Sequence, residues 1–122
     1  MKVAGLGFRA SADVASLRAA LVAAGGAEGV TALATSEAKA GAAVIQAFAA
    51  ELGVPVIPVS ALDLAAQNTL TESARVRART GAGSLAEAAA LAASGSDARL
   101  LGSRAVSADR MATAAIAVRI KI

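Results

Sequence analysis

Short apolar runs alternate with stretches of helical spacing through the first half of the chain, and this alternation limits the fold more than any other feature. Val3 to Phe8 reads as a buried strand. It leads into a helix from Ser11 to Ala24, with Val14, Leu17 and Leu21 on one stripe and Gly25 and Gly26 ending it. Val30 to Ala34 reads as a second strand. Val44, Ile45, Phe48 and Leu52 mark the next helix, and Gly53 falls where a left-handed C-cap is expected. In a third strand, Val54 to Val59, Pro55 and Pro58 each lack a ladder donor, which places part of it at an edge or a strand end. Ser60 followed by Asp63 opens a short helical turn. Strands joined through helices pair in parallel, because the crossover returns the chain to the same end of the sheet.

The second half reads differently. A polar connector from Ala66 to Glu72 precedes a short helix, Thr71 to Arg79, that carries Arg75, Arg77 and Arg79. From Thr80 to Ala93 a glycine turn opens directly into an alanine-rich helix, closed by Ser94 and Gly95. Ser84 followed by Glu87 gives its start a capping-box pattern. Arg99 to Leu101 then reads as a short strand and Gly102 to Arg110 as a polar loop. In the last strand, Ala112 to Ile122, Ile116, Val118, Ile120 and Ile122 alternate with Ala117, Arg119 and Lys121. That alternation predicts one wet face and a final antiparallel pair at a sheet edge. The expected architecture is a single α/β domain over residues 1–122, a three-layer α/β/α sandwich with a mixed, mainly parallel sheet and a C-terminal antiparallel strand pair.

The chain has no cysteine and no histidine among its 122 residues. Thiolate nucleophiles, imidazole bases, Ser-His-Asp triads and zinc sites with nitrogen or sulfur ligands are therefore excluded, and neither a metal nor a cofactor is expected. The hydrophobic fraction is 57%, much of it alanine, so the mean hydropathy of +0.63 overstates membrane character. Arg9 interrupts the first apolar run, and no run has the length of a membrane span, so a cytoplasmic protein is expected. A formal charge of +3 and a pI near 10.2 favour anionic partners. Nucleic acid is the weaker choice, because tryptophan and tyrosine are absent and the three arginines at alternate positions spread around a helix as a solvated face.

Gly81 and Gly83 permit close backbone approach just before Ser84, where the first helical N–H groups lack partners. Gly7, Phe8 and Arg9 repeat this logic before the first helix. Two such starts suit one polyanionic ligand, or else both are ordinary strand-to-helix connections. The string Gly5-Leu6-Gly7-Phe8-Arg9-Ala10 also matches a dinucleotide fingerprint with alanine in the third glycine position, and Glu37 follows the second strand. Arg9 would crowd the pyrophosphate, and the chain is short for two mononucleotide halves, so a small nucleotide-binding domain is only an alternative. Strand ends in an open α/β sheet converge, which gathers Arg9, Thr35, Ser36, Lys39 and Ser60 with the helix start at Ser84 on one rim. Cations, hydroxyls and backbone donors together suit a ligand with several carboxylates. Taken alone, Lys39 reads better as a solvated loop lysine and Ser60 as an N-cap. Arg104, Ser107, Asp109 and Arg110 offer further polar groups, unless Asp109 pairs locally with an arginine.

Several of these segments, in order, carry a resemblance: Gly5-Leu6-Gly7-Phe8-Arg9, Leu33-Ala34-Thr35 with Lys39, Val54-Pro55 reaching Ser60, Thr71-Glu72-Ser73, and Gly81 through Ala88. The chain resembles the CobE/CbiG C-terminal family of cobalamin-biosynthesis proteins over nearly its whole length, and its length is similar to that of the stand-alone members in the aerobic pathway. The resemblance implies a role in building the corrin ring, with a tetrapyrrole intermediate rich in acetate and propionate groups as ligand, and other cobalamin-pathway enzymes as further partners. Related proteins hydrolyse a precorrin lactone and release a two-carbon fragment. Where they carry a Pro-Lys-x-Lys-Ser stretch, this chain has Gly102-Ser103-Arg104-Ala105-Val106-Ser107, and Phe8 stands where a cysteine is often found. These departures favour a binding or intermediate-handling role over catalysis. In the hydrolase alternative, Glu37 or Glu72 serves as base and the helix start at Ser84 stabilises an oxyanion.

Overall fold

The computed structural model describes residues 1–67, 69, 84–95 and 97–119. The expectations for the arginine-bearing helix, for Glu72, for Gly81 and Gly83, and for residues 120–122 lie outside the described residues.

Strand β1 (Lys2–Phe8) is buried from Val3 onward because both of its faces are covered. Ala4, Leu6 and Phe8 join one core with Leu17 and Leu21 of α1 (Val14–Ala24) and with Ile45 and Phe48 of α3 (Ala43–Leu52). Val3 lies in a second core with Leu85, Ala88 and Ala89 of helix α5 (Leu85–Ser94). Opposite faces of one strand thus meet different helices, which is what an α/β/α sandwich requires. Helix α1 starts at Val14 rather than at Ser11. The Asp13 carboxylate accepts from the Ser16 amide at 2.9 Å, and Ser16 Oγ accepts from the Asp13 amide at 3.4 Å, a reciprocal box that fixes the first turn. Strand β2 (Ala32–Ser36) runs two residues beyond the expected end. It is followed by a single turn, α2 (Glu37–Ala40), before α3, which ends at Gly53 with φ of 72°, as its position predicted. Strand β3 (Val56–Val59) and the short helix α4 (Ala61–Ala65) complete the first half.

Strands β4 (Ala98–Leu100), β5 (Ala105–Val106) and β6 (Ala112–Arg119) follow α5. The sheet order is β3-β2-β1-β6-β4, with β5 also paired to β6. Ladders β1/β2 and β2/β3 are parallel, whereas β6 is antiparallel to β1, β4 and β5. Among the described strands, β6 alone therefore runs against the others. Strand β3 lies at the edge, which is where Pro55 and Pro58 are tolerated.

The last strand corrects the expectation of an edge with a wet face. Strand β6 lies inside the sheet, paired with β1 from Lys2↔Val118 to Phe8↔Ala112. Ala112, Ala114, Ala115, Ile116 and Ala117 are all buried, and among its described alternating positions only Arg119 is exposed. Alanines that looked neutral beside the isoleucines fill the narrow space beneath helices on both faces. Strand β5, moreover, forms within the stretch read as a polar loop.

Helix α5 packs closely on β1. A Cβ on Gly5 would stand 1.9 Å from the Ala86 carbonyl oxygen and 2.7 Å from the Ala90 amide, so the helix backbone rests directly on the strand. Glycine below and alanines above permit this approach. Among the described residues no helix is long and apolar enough to cross a membrane.

Candidate functional site at the strand ends

Because β1, β2 and β3 are parallel, their C-terminal ends at Phe8, Ser36 and Val59 share one side of the sheet. Antiparallel β6 begins on that side, with Ala112 opposite Phe8. Helix α5 also starts there, since a Cβ on Gly7 would lie 3.7 Å from Leu85. Topology alone therefore brings Gly7, Arg9, Ser36, Lys39, Ser60 and Ser84 to one end of the molecule, together with the turn at residues 107–111.

Their roles on that end differ. Arg9 is exposed, its backbone amide donates to the Met111 carbonyl at 2.9 Å, and its guanidinium has no ion-pair partner among the described residues. Lys39 is half-buried rather than free on a loop: Nζ donates to the Phe8 carbonyl at 2.8 Å and lies 5.0 Å from the centre of the Phe8 ring. Its charge stands next to Arg9. Thr35 is buried, and its hydroxyl donates to the Leu6 carbonyl at 2.8 Å, so it ties β2 to β1 rather than lining the rim. Ser60 caps α4 by accepting from the Asp63 amide at 3.2 Å. Gly7 is buried in β1, where Thr113 Oγ1 donates to its carbonyl at 3.4 Å. Gly5, the first glycine of the apparent nucleotide fingerprint, has its open face occupied by the Ala86 carbonyl and not turned to a phosphate.

Ser84 caps α5 as its sequence position requires, with Oγ accepting from the Glu87 amide at 3.4 Å. It is fully buried, so the first turn of this helix meets the protein interior. Glu87 is buried as well, and its carboxylate accepts from the Arg104 amide at 2.6 Å. Sequence reasoning gave Glu87 a capping role only. The missed signal was a carboxylate within an otherwise apolar helix, whose burial demands a tertiary partner.

A second polar knot closes the rim beside Arg9. Asp109 accepts from Ser107 Oγ at 2.5 Å, from Ser16 Oγ at 2.6 Å and from the Met111 amide at 3.0 Å. These bonds, Ser107 first, hold its carboxyl below the usual carboxylate range. The local pairing with an arginine envisaged from sequence is replaced by hydroxyls and an amide. A cavity of about 290 Å³, lined by Asp63, Gln67, Leu91, Ala92, Gly95 and Ala98, lies toward the other end of α5 and includes no residue of this rim.

Fold and rim together define a small α/β sandwich domain with cations and hydroxyls gathered at the strand ends. The chain belongs to the cobalamin synthesis G C-terminus family, whose model matches residues 2–117. A crystal structure of CobE, a protein from the cobalamin (vitamin B12) biosynthetic pathway, is similar with a TM-score of 0.85 and 30% identity, covering 98% of this chain and 91% of that one. The cobalamin biosynthesis protein chiG from Agrobacterium tumefaciens is 37% identical with a TM-score of 0.74, covering 99% of this chain and 100% of that one. No curated protein matches. Membership of this family makes the chain a cobalamin-biosynthesis protein.

Proposed function

We propose that the protein binds a polycarboxylate corrin-ring intermediate, a precorrin or corrin acid, at the strand-end rim, and acts in the cytoplasm as a binding or handling partner of other cobalamin-pathway enzymes. The observation that carries this reading is the exposed guanidinium of Arg9, without an ion-pair partner among the described residues, next to the fixed ammonium of Lys39. An exposed guanidinium with no ion-pair partner among the described residues, beside a second cation held in place, attracts an anionic ligand. The glycine turn at Gly81 and Gly83 belongs to the proposal as the backbone-donor side of the site, with Ser84 ending it. Titration with cobyrinic acid, followed by its visible absorption and with NAD as control, tests the reading. Saturable binding of the corrin and none of NAD is expected. Arg9→Ala then weakens corrin binding roughly ten- to hundredfold, the loss typical of one charge-assisted contact. NAD binding without corrin binding would overturn the assignment. Acetaldehyde release from a cobalt-precorrin, abolished in Glu37→Gln, would move it to a lactone hydrolase.

A further inference from the structure

Among the described residues, one non-glycine residue holds a positive φ: Arg110, at 61°. Left-handed backbone is unfavourable for an L residue, whose Cβ crowds the following carbonyl oxygen, and is kept where the surroundings favour it. Here they do. The Arg110 amide donates to the Ser107 carbonyl at 2.8 Å, the Ser107 amide donates to the Ala112 carbonyl at 2.9 Å, and Ser107 Oγ accepts from the Ala112 amide at 3.1 Å. Asp109 fastens the same turn to the first turn of α1 through Ser16. The next residue along, Met111, accepts the Arg9 amide, so Arg9 and Arg110 are neighbours across this contact. Both arginines are exposed, and neither forms an ion pair among the described residues. The acid beside Arg110 in sequence, Asp109, is already occupied by hydroxyls and an amide rather than by a guanidinium.

We propose that Arg110 and Arg9 form a two-pronged carboxylate clamp on the rim, with Ser16, Ser107 and Asp109 as the lock that holds Arg110 in its left-handed conformation. The clamp rests on the polycarboxylate reading above and assigns Arg110 as a specificity-determining residue of that site. Planar guanidiniums suit carboxylates, which they can engage with paired N–H donors. Asp109 is a positioning residue: occupied by its own hydrogen bonds, it orders the turn without neutralising the arginines.

Strain held for binding predicts opposite movements of stability and affinity in a single variant. Arg110→Gly relieves the positive φ and is expected to raise the melting temperature by a few degrees. In the same samples it weakens cobyrinic acid binding at least tenfold. Arg110→Ala weakens binding equally with no rise in melting temperature, Asp109→Asn weakens it less, and the exposed control Arg99→Ala leaves it unchanged. A more stable Arg110→Gly protein with full affinity would overturn the clamp. If wild-type protein binds no cobyrinic acid, the corrin reading fails and the clamp is judged separately with citrate, against pyrophosphate. Citrate-induced shifts of the Arg9 and Arg110 side-chain N–H resonances, lost in Arg110→Gly, support it, whereas no shift in wild-type protein, or shifts with pyrophosphate alone, overturns it.

Discussion

Helices α1 and α5 begin with the same device and use it differently. In α1, Asp13 and Ser16 satisfy each other's amides across the first turn, and the helix keeps an outer face on which Arg18 pairs with Glu51 at 2.6 Å. In α5, Ser84 caps the Glu87 amide, but the Glu87 side chain reaches out to the Arg104 amide, and nearly every residue of the helix is buried. Both third-position side chains are buried and reach a distant partner, but Ser16 also closes its own box by accepting from the Asp13 amide, whereas Glu87 is turned to the Arg104 amide. The start of α1 thus combines a complete local box with one long-range bond, from Ser16 to Asp109. The start of α5 anchors a distant loop.

The strongest test of this contrast is steric. Gly5→Ala places a methyl group within 1.9 Å of the Ala86 carbonyl oxygen, and because the obstacle is helix backbone it cannot swing aside. Destabilisation at or above the upper end of the usual overpacking range, about 1–3 kcal/mol, is expected from urea unfolding. A neutral Gly5→Ala variant would mean that α5 does not rest on β1.

A smaller effect separates the two caps. Glu87→Ala leaves the Arg104 amide without its acceptor and should cost about 1–3 kcal/mol, whereas Asp13→Ala should cost about 1 kcal/mol as an ordinary lost N-cap. Hydrogen exchange sharpens the distinction. Loss of protection at Arg104 is expected in the Glu87 variant and not in the Asp13 variant, and equal patterns would erase the difference between the helices.

The smallest effect concerns the knot that joins α1 to the β5–β6 turn. The Asp109 carboxyl is held below its ordinary value of 3.8, chiefly by the Ser107 hydroxyl and then by Ser16. A folded-state value below the unfolded one means a contribution present above the unfolded value and lost as pH falls through the folded value. Melting temperatures recorded from neutral pH down into the acid range should therefore fall less steeply in Asp109→Asn than in wild type. Identical slopes would show that the carboxylate bonds add nothing to the native state.

The first half of the chain was legible because its information is local. The stripe of Leu17 and Leu21, the two glycines ending α1, Gly53 at the end of α3 and the prolines of β3 each constrain their own neighbourhood, and the structure agrees with them to within a few residues. The second half was harder to read because alanine carries little signal. In Ala112–Arg119, alternation of isoleucine with alanine looks like a buried face and a wet one until helices cover both. Val106 and its neighbours gave no strand signal, since β5 exists only through its pairing with β6. The rim was partly legible: parallel strands must end together, which placed Arg9, Lys39 and Ser60 correctly on one side. That Lys39 would seat on the Phe8 carbonyl, and that Thr35 would turn inward to Leu6, depended on strand neighbours that no spacing reveals.

By itself, then, the sequence determined the alternation of strand and helix, the parallel half of the sheet, the positions of caps and breaks, and the resemblance that pointed to cobalamin biosynthesis. Tertiary structure decided that β6 would lie beside β1, that Glu87 would serve a loop and not its own helix, and that Arg110 would be held left-handed next to Arg9. The physical reason is range. Periodicity, capping and turn chemistry act within a few residues, whereas these last features arise from contacts between segments far apart in the chain, where burial leaves each polar group to be satisfied by whatever neighbour the fold supplies.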